Sequence, residues 1–69
     1  MKVGQRIKEL RLLKKISQET LSNIAEIDRT YMTSVENGKR NISVVNLEKI
    51  IKALDTDYAT FFNNQIFNK

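Results

Sequence analysis

"SQETLSNIAEIDRTYMTSVENGKRN", Ser17 to Asn41, is the stretch whose reading decides the fold. Ser17 and Asp28 are short polar residues of the kind that open helices. A side-chain oxygen on either can accept a hydrogen bond from an N–H that the first helical turn leaves unpaired. A helix begun at Ser17, "SQETLSNIAE", turns Leu21 and Ala25 inward. A helix begun at Asp28 runs to about Asn37, with Met32 and Val35 on its inner side. Thr30, Thr33, Ser34 and Asn37 then face the other way, with Arg29 and Tyr31 on the flanks. Gly38 fits the left-handed position that ends a helix, and Lys39-Arg40-Asn41 continues as a loop. The short connection "AEID" gives the pair the spacing of a helix-turn-helix.

Working outward, Val3, Ile7, Leu10 and Leu13 recur at helical spacing and predict a first helix, with Lys8, Arg11 and Lys15 on its other side. Downstream, Ser43 caps a fourth helix in which Val44, Leu47, Ile50, Ile51 and Leu54 form a broad apolar stripe. Asp55-Thr56-Asp57 interrupts the pattern, and Tyr58 to Ile66 is expected to form a short fifth helix, so that the C-terminal element occupies about 57–67. "NISVV" is the only strand-like run, and the helical spacing around it argues against a strand. The expected fold class is all-α, a compact five-helix bundle whose second and third helices are the helix-turn-helix. Residues 1–69 read as a single domain without repeats or linkers.

Composition narrows the function. The chain contains no cysteine and no histidine. Thiolate metal sites, disulfides, the usual metal ligand and the commonest general base are therefore absent. No pair of acid and base groups converges in the sequence, so neither catalytic residues, metal nor cofactor is expected, and the reading is of a non-enzyme. No apolar run approaches a membrane span and the N-terminus lacks a signal-peptide core, which points to a cytoplasmic protein without a membrane partner. Twelve basic and eight acidic residues give a net charge of +4. The first fifteen residues hold six of those cations (Lys2, Arg6, Lys8, Arg11, Lys14, Lys15) against Glu9 alone. Basic charge gathered on particular elements suits a polyanion, although a solvated helix face would look the same from charge alone.

The third helix tips that balance. Short hydroxyl side chains let a helix backbone approach a groove closely. An arginine at its N-terminal end can reach guanine O6 and N7 with two parallel bonds. The N-terminal N–H groups and helix dipole favour phosphate.

These residues also resemble a known family. "SQETL", "IDRTYMTSVENGKRN" and "LEKIIKAL" are similar to the phage-repressor (Cro, or Xre) type of helix-turn-helix domain, whose fold is lambda-repressor-like, over roughly residues 3–62. D-R-T-Y, the following E-x-x-x-R-N and the late "FF" pair look most like controller proteins of bacterial restriction–modification systems. The resemblance implies base reading by Arg29, Thr30, Tyr31, Thr33 and Ser34. It implies backbone contacts from Gln18, Asn37, Lys39, Arg40 and Asn41. It also pairs Arg11 with Glu36 in a partly buried bridge from the first helix to the third, a structural role. Glu26 stands where the family's turn often has glycine or asparagine, and Ser22 where alanine is usual. A controller protein would regulate its own gene and that of a restriction endonuclease, activating from one site and repressing when a second is filled. Activation would require RNA polymerase as a partner, for which the chain offers no signature.

The aromatic C-terminus raises a separate expectation. Tyr58, Phe61, Phe62, Ile66 and Phe67 are more apolar surface than so small a core needs. Phe61 or Phe62 should finish the core, and the others should form a homodimer interface. A two-fold dimer would present two reading helices to successive major grooves of double-stranded DNA, hence to a palindromic operator. No small-molecule ligand is expected. The competing reading is an antitoxin-like protein-interaction module that keeps the fold without reading DNA. Non-specific architectural binding is a third. The basic first helix and the Arg29–Ser34 composition favour the regulator.

Overall fold

The computed structural model describes residues 2–67 and contains, among them, five helices and no strand. They are α1 (Lys2–Leu13), α2 (Gln18–Ala25), α3 (Arg29–Glu36), α4 (Val44–Ala53) and α5 (Tyr58–Phe62). The principal pairings set α2 on α4, α1 on α3 and α2 on α3. Ile7, Leu10, Leu21, Ala25, Met32, Val35, Ile50, Ile51, Leu54 and Phe61 form the shared core.

Caps begin four of the helices where polar residues stand ready. The side chains of Ser17, Asp28, Ser43 and Asp57 accept from the N–H groups of Thr20, Tyr31, Asn46 and Thr60 respectively. The helix ends are less conventional. Gly38 takes a left-handed φ of 75° after α3, but Lys15, Glu26 and Asp55 adopt the same region without being glycine. Such a conformation costs a residue with a Cβ about 1–2 kcal/mol. The packing of α1, α2 and α4 therefore imposes these reversals against local preference.

Three expectations about the helices need correction. Leu13, placed inward by spacing, is the last residue of α1 and 70% exposed. The inner face of α1 is taken instead by Gly4, Arg6, Ile7, Leu10 and Arg11. Arg11 thus lies on the buried side, apart from Lys8 and Lys15 and in the bridge to Glu36 that the resemblance implies. Val44 is 77% exposed at the first position of α4, immediately after the cap. The fifth helix stops at Phe62 rather than continuing to Ile66. The carboxamide of Asn64 accepts from the Ile66 N–H, and the Phe67 N–H bonds to the Asn64 carbonyl. Consecutive asparagines offer the backbone this local alternative to helix.

Gly4 explains how closely α1 can lie on α3. A Cβ on it would stand 2.0 Å from the Val35 carbonyl oxygen.

Candidate nucleic-acid interface

The α2–α3 unit is held together by a polar network that ends in a buried carboxylate. Glu36, at the end of α3, receives two parallel bonds from Arg11, with Nε at 2.9 Å and Nη2 at 3.1 Å. The remaining Nη1 of Arg11 donates to the Ile16 carbonyl at 3.0 Å. Glu36 also accepts from Nε2 of Gln18 at 3.0 Å. The other end of that amide accepts from the Thr33 hydroxyl at 2.8 Å, with the Arg29 carbonyl as that proton's alternative acceptor at 3.0 Å. A carboxylate accepts only, so it fixes which way the Gln18 amide points. Helices α1, α2 and α3 are thereby locked in one arrangement, and removing one ion of the pair would strand the other away from water.

The same helix shows a different outer surface. Arg29 and Thr30 are exposed, and Tyr31, Thr33 and Ser34 are half-buried along its flank. Met32 and Val35 are fully enclosed, so the orientation of that surface is set by the core. The turn that aims α3 places Glu26 at φ 58° and ψ 47°, the conformation glycine or asparagine would take more easily. Ser22 packs nearby with its hydroxyl buried and unpartnered.

Beyond α3 the chain closes a paired C-terminal motif, with Gly38 N–H bonding to the Val35 carbonyl and Lys39 N–H to that of Ser34. This motif sends Asn37, Lys39, Arg40 and Asn41 along the edge of that outer surface of α3, all exposed. The Arg40 guanidinium lies 5.1 Å over the Tyr31 ring, a cation–π arrangement that brings loop and helix together. The Tyr31 hydroxyl stands 3.5 Å from the Asn41 carbonyl oxygen, long for a hydrogen bond. Arg29, Thr30, Tyr31, Thr33 and Ser34 thus share one helix with the loop cations beside it. Gln18 is set one layer in, against Thr33.

The aromatic C-terminus divides in two. Phe61 is fully enclosed in the core and is corrected out of the interface set, since it has no surface to offer a second chain. Tyr58 is 44% and Phe62 37% exposed, while Ile66 and Phe67 are half-buried. Phe62 meets both Phe61 and Phe67 with ring centroids 5.0 Å apart. Arg6, by sequence one more cation on a basic helix, is buried against α5. Its spacing from Ile7 and Leu10 was the available signal, because it places residue 6 beside the apolar stripe. Among the described residues no cluster of acidic side chains is placed to hold a metal, and no helix is long and apolar enough to cross a membrane.

Comparison with known proteins agrees with this geometry. A family model described as helix-turn-helix matches residues 7–61. The control protein C.MunI of a Mycoplasma species is 43% identical over 65 residues, covering 93% of this chain and 88% of that protein. The crystal structure of the restriction-modification controller protein C.AhdI from Aeromonas hydrophila is similar with a TM-score of 0.83 at 48% identity, covering 88% of this chain and 92% of that one. A tetramer of the controller protein C.Esp1396I, in complex with its natural 35 base-pair operator, gives a TM-score of 0.84 at 39% identity, with 88% and 80% covered.

Proposed function

This chain belongs to the helix-turn-helix family, of the Cro/Xre type and with restriction-modification controller proteins among its relatives, and from that premise we propose a sequence-specific DNA-binding transcriptional regulator of the controller kind. It works in the cytoplasm, by binding rather than catalysis, as a homodimer on a palindromic operator. One observation carries this reading: a helix face of hydrogen-bonding side chains, Arg29 and Thr30 exposed and Tyr31, Thr33 and Ser34 half-buried, is mounted on a unit whose orientation a buried, bidentate ion pair fixes.

Arg29, at the first position of α3, reaches guanine, and Thr30, Tyr31, Thr33 and Ser34 follow it along the major groove. Asn37, Lys39, Arg40 and Asn41 meet phosphates, and Arg40 arrives already stacked on Tyr31. Gln18 has spent one amide proton on Glu36 and keeps the other for a phosphate oxygen. Phosphate contacts supply salt-dependent affinity, and base contacts supply sequence. Tyr58 and Phe62, with the edges of Ile66 and Phe67, form the surface that a second copy covers.

The test is selection of binders from random duplex DNA by the purified protein at two salt concentrations. A two-fold symmetric motif with half-sites about one helical turn apart is expected. Recovery of no motif, with weak binding that vanishes as salt rises, overturns sequence-specific regulation.

A further inference from the structure

Arg6 is only 6% exposed, and apart from Glu9 everything its guanidinium touches lies at the far end of the chain. Its Nε donates to the Phe61 carbonyl at 2.7 Å and its Nη2 to the Thr60 carbonyl at 2.9 Å. Its Nη1 meets the Glu9 carboxylate. Those two carbonyls belong to the last turn of α5, where a helix has no N–H donors left for its carbonyl oxygens. A cation is also the favoured charge at that end.

Helix α5 depends on such a grip. It has five residues, far too few to hold helical structure unaided. None of the principal helix pairings includes it. It is tied to the body by the Phe61 side chain in the core and by the Arg6 guanidinium on the backbone. The two carbonyls that Arg6 holds immediately precede Phe62, so the same bonds set the direction in which the Phe62 ring leaves the body. Tyr58 lies on this helix as well, and both residues belong to the surface assigned above to a second copy.

We infer that Arg6 is a positioning residue for self-association: from within one protomer, it seats α5 so that Tyr58 and Phe62 present a fixed surface to the other. This inference rests on the reading of the α5 face as the dimer surface. When α5 is seated in only a fraction of molecules, apparent affinity falls by that fraction. A homodimer needs two seated helices, so the loss enters as the square. Operator binding then weakens although Arg6 touches no DNA.

The test compares wild type with Arg6→Met, which keeps an apolar stem, and Arg6→Lys. Lysine keeps the charge but lacks the planar fork that spans two carbonyls and a carboxylate. Sedimentation equilibrium should show the dimer dissociation constant rising on the order of tenfold in Arg6→Met, with little rescue by lysine. Hydrogen exchange should show residues 58–62 losing protection while α1 to α4 keep theirs. Joining two Arg6→Met copies by a flexible linker should restore most of the affinity for the selected operator, because tethering replaces the lost association. Uniform loss of protection through all helices, or a tandem protein that stays weak, would make Arg6 a merely structural residue and overturn the inference. If Arg6→Met does not fold, Arg6→Lys carries the same comparison. Wild type that is monomeric throughout would instead bring down the dimer reading itself. A dimeric wild type with equally dimeric variants removes only the role of Arg6.

Discussion

Arg29 stands exposed at the start of α3, whereas Arg40 sits in the following loop with its guanidinium over the Tyr31 ring. The two carry one charge each, and their loss should be felt differently. Arg29→Ala is expected to cost roughly 1–3 kcal/mol on the selected operator and to relax choice at one base pair in each half-site. Arg40→Ala should weaken all sequences alike and lower the salt slope by about one. Titrations on the operator and on scrambled DNA at several salt concentrations separate the two. Gly4 makes a prediction against propensity. Alanine is the better helix former by about 1 kcal/mol, yet its Cβ would meet the Val35 carbonyl oxygen. Overpacking of this kind costs typically about 1–3 kcal/mol, so Gly4→Ala should lower the urea midpoint. An unchanged or raised midpoint would show that α1 slides away from α3 at no cost. Met32, Val35, Leu21 and Ala25 were legible from spacing because an apolar side chain has only one favourable place. Arg6 and Leu13 were not, since periodicity counts a cation as outward and a leucine as inward. Arg6 is drawn inward by the carbonyls of Thr60 and Phe61, partners more than fifty residues away that periodicity does not show, while Leu13 closes α1 with its side chain exposed.

Among the elements, starts were readable and, α3 apart, ends were not. Ser17, Asp28 and Ser43 cap their helices as their chemistry dictates. Gly38 ends α3 for the same kind of reason, but Lys15, Glu26 and Asp55 end theirs only because packing forces a left-handed turn on them. The fifth helix shows the difference most clearly. Apolar residues through Phe67 suggested length, while the backbone of Asn63 and Asn64 turned away from it. Its start also carries a pH dependence. The Thr60 N–H, at 2.7 Å from the Asp57 carboxylate, holds that group below its ordinary value of 3.8, and the Thr60 hydroxyl side adds to the effect. A depressed carboxyl contributes stability above its unfolded value and loses it as pH falls through the folded one. Asparagine caps as well without the charge. Asp57→Asn should therefore be less stable than wild type near neutrality, and the difference should close as the solution is acidified below about pH 4. Paired denaturation curves at several pH values measure this directly. A gap that persists in acid would mean that shape, not charge, makes Asp57 the cap.

At the scale of the molecule, size itself constrains the mode of binding. The described residues span 31 × 24 × 21 Å. Successive major grooves on one face of a duplex lie about 34 Å apart, so one copy is too small to span two of them. Reading a two-fold site therefore takes two copies, and the α5 surface proposed for their contact belongs to a helix of five residues, too short to act as a long tether. A rigid pair makes a demand that a flexible one does not. Inserting about half a helical turn between the half-sites, roughly 5 base pairs, rotates one half-site to the opposite face of the DNA. Affinity should then drop to that of a single half-site. Inserting a full turn, roughly 10 base pairs, restores the facing but adds about 34 Å of separation, more than the 31 Å that the described residues span. A rigid dimer recovers nothing from the full turn, whereas copies joined by a yielding contact, or binding independently, would recover part of the loss or show none. Gel-shift titration of the three duplexes, with the symmetric site as reference, decides between them. Recovery at the full-turn insertion would mean that the α5 surface does not hold the reading helices at one spacing.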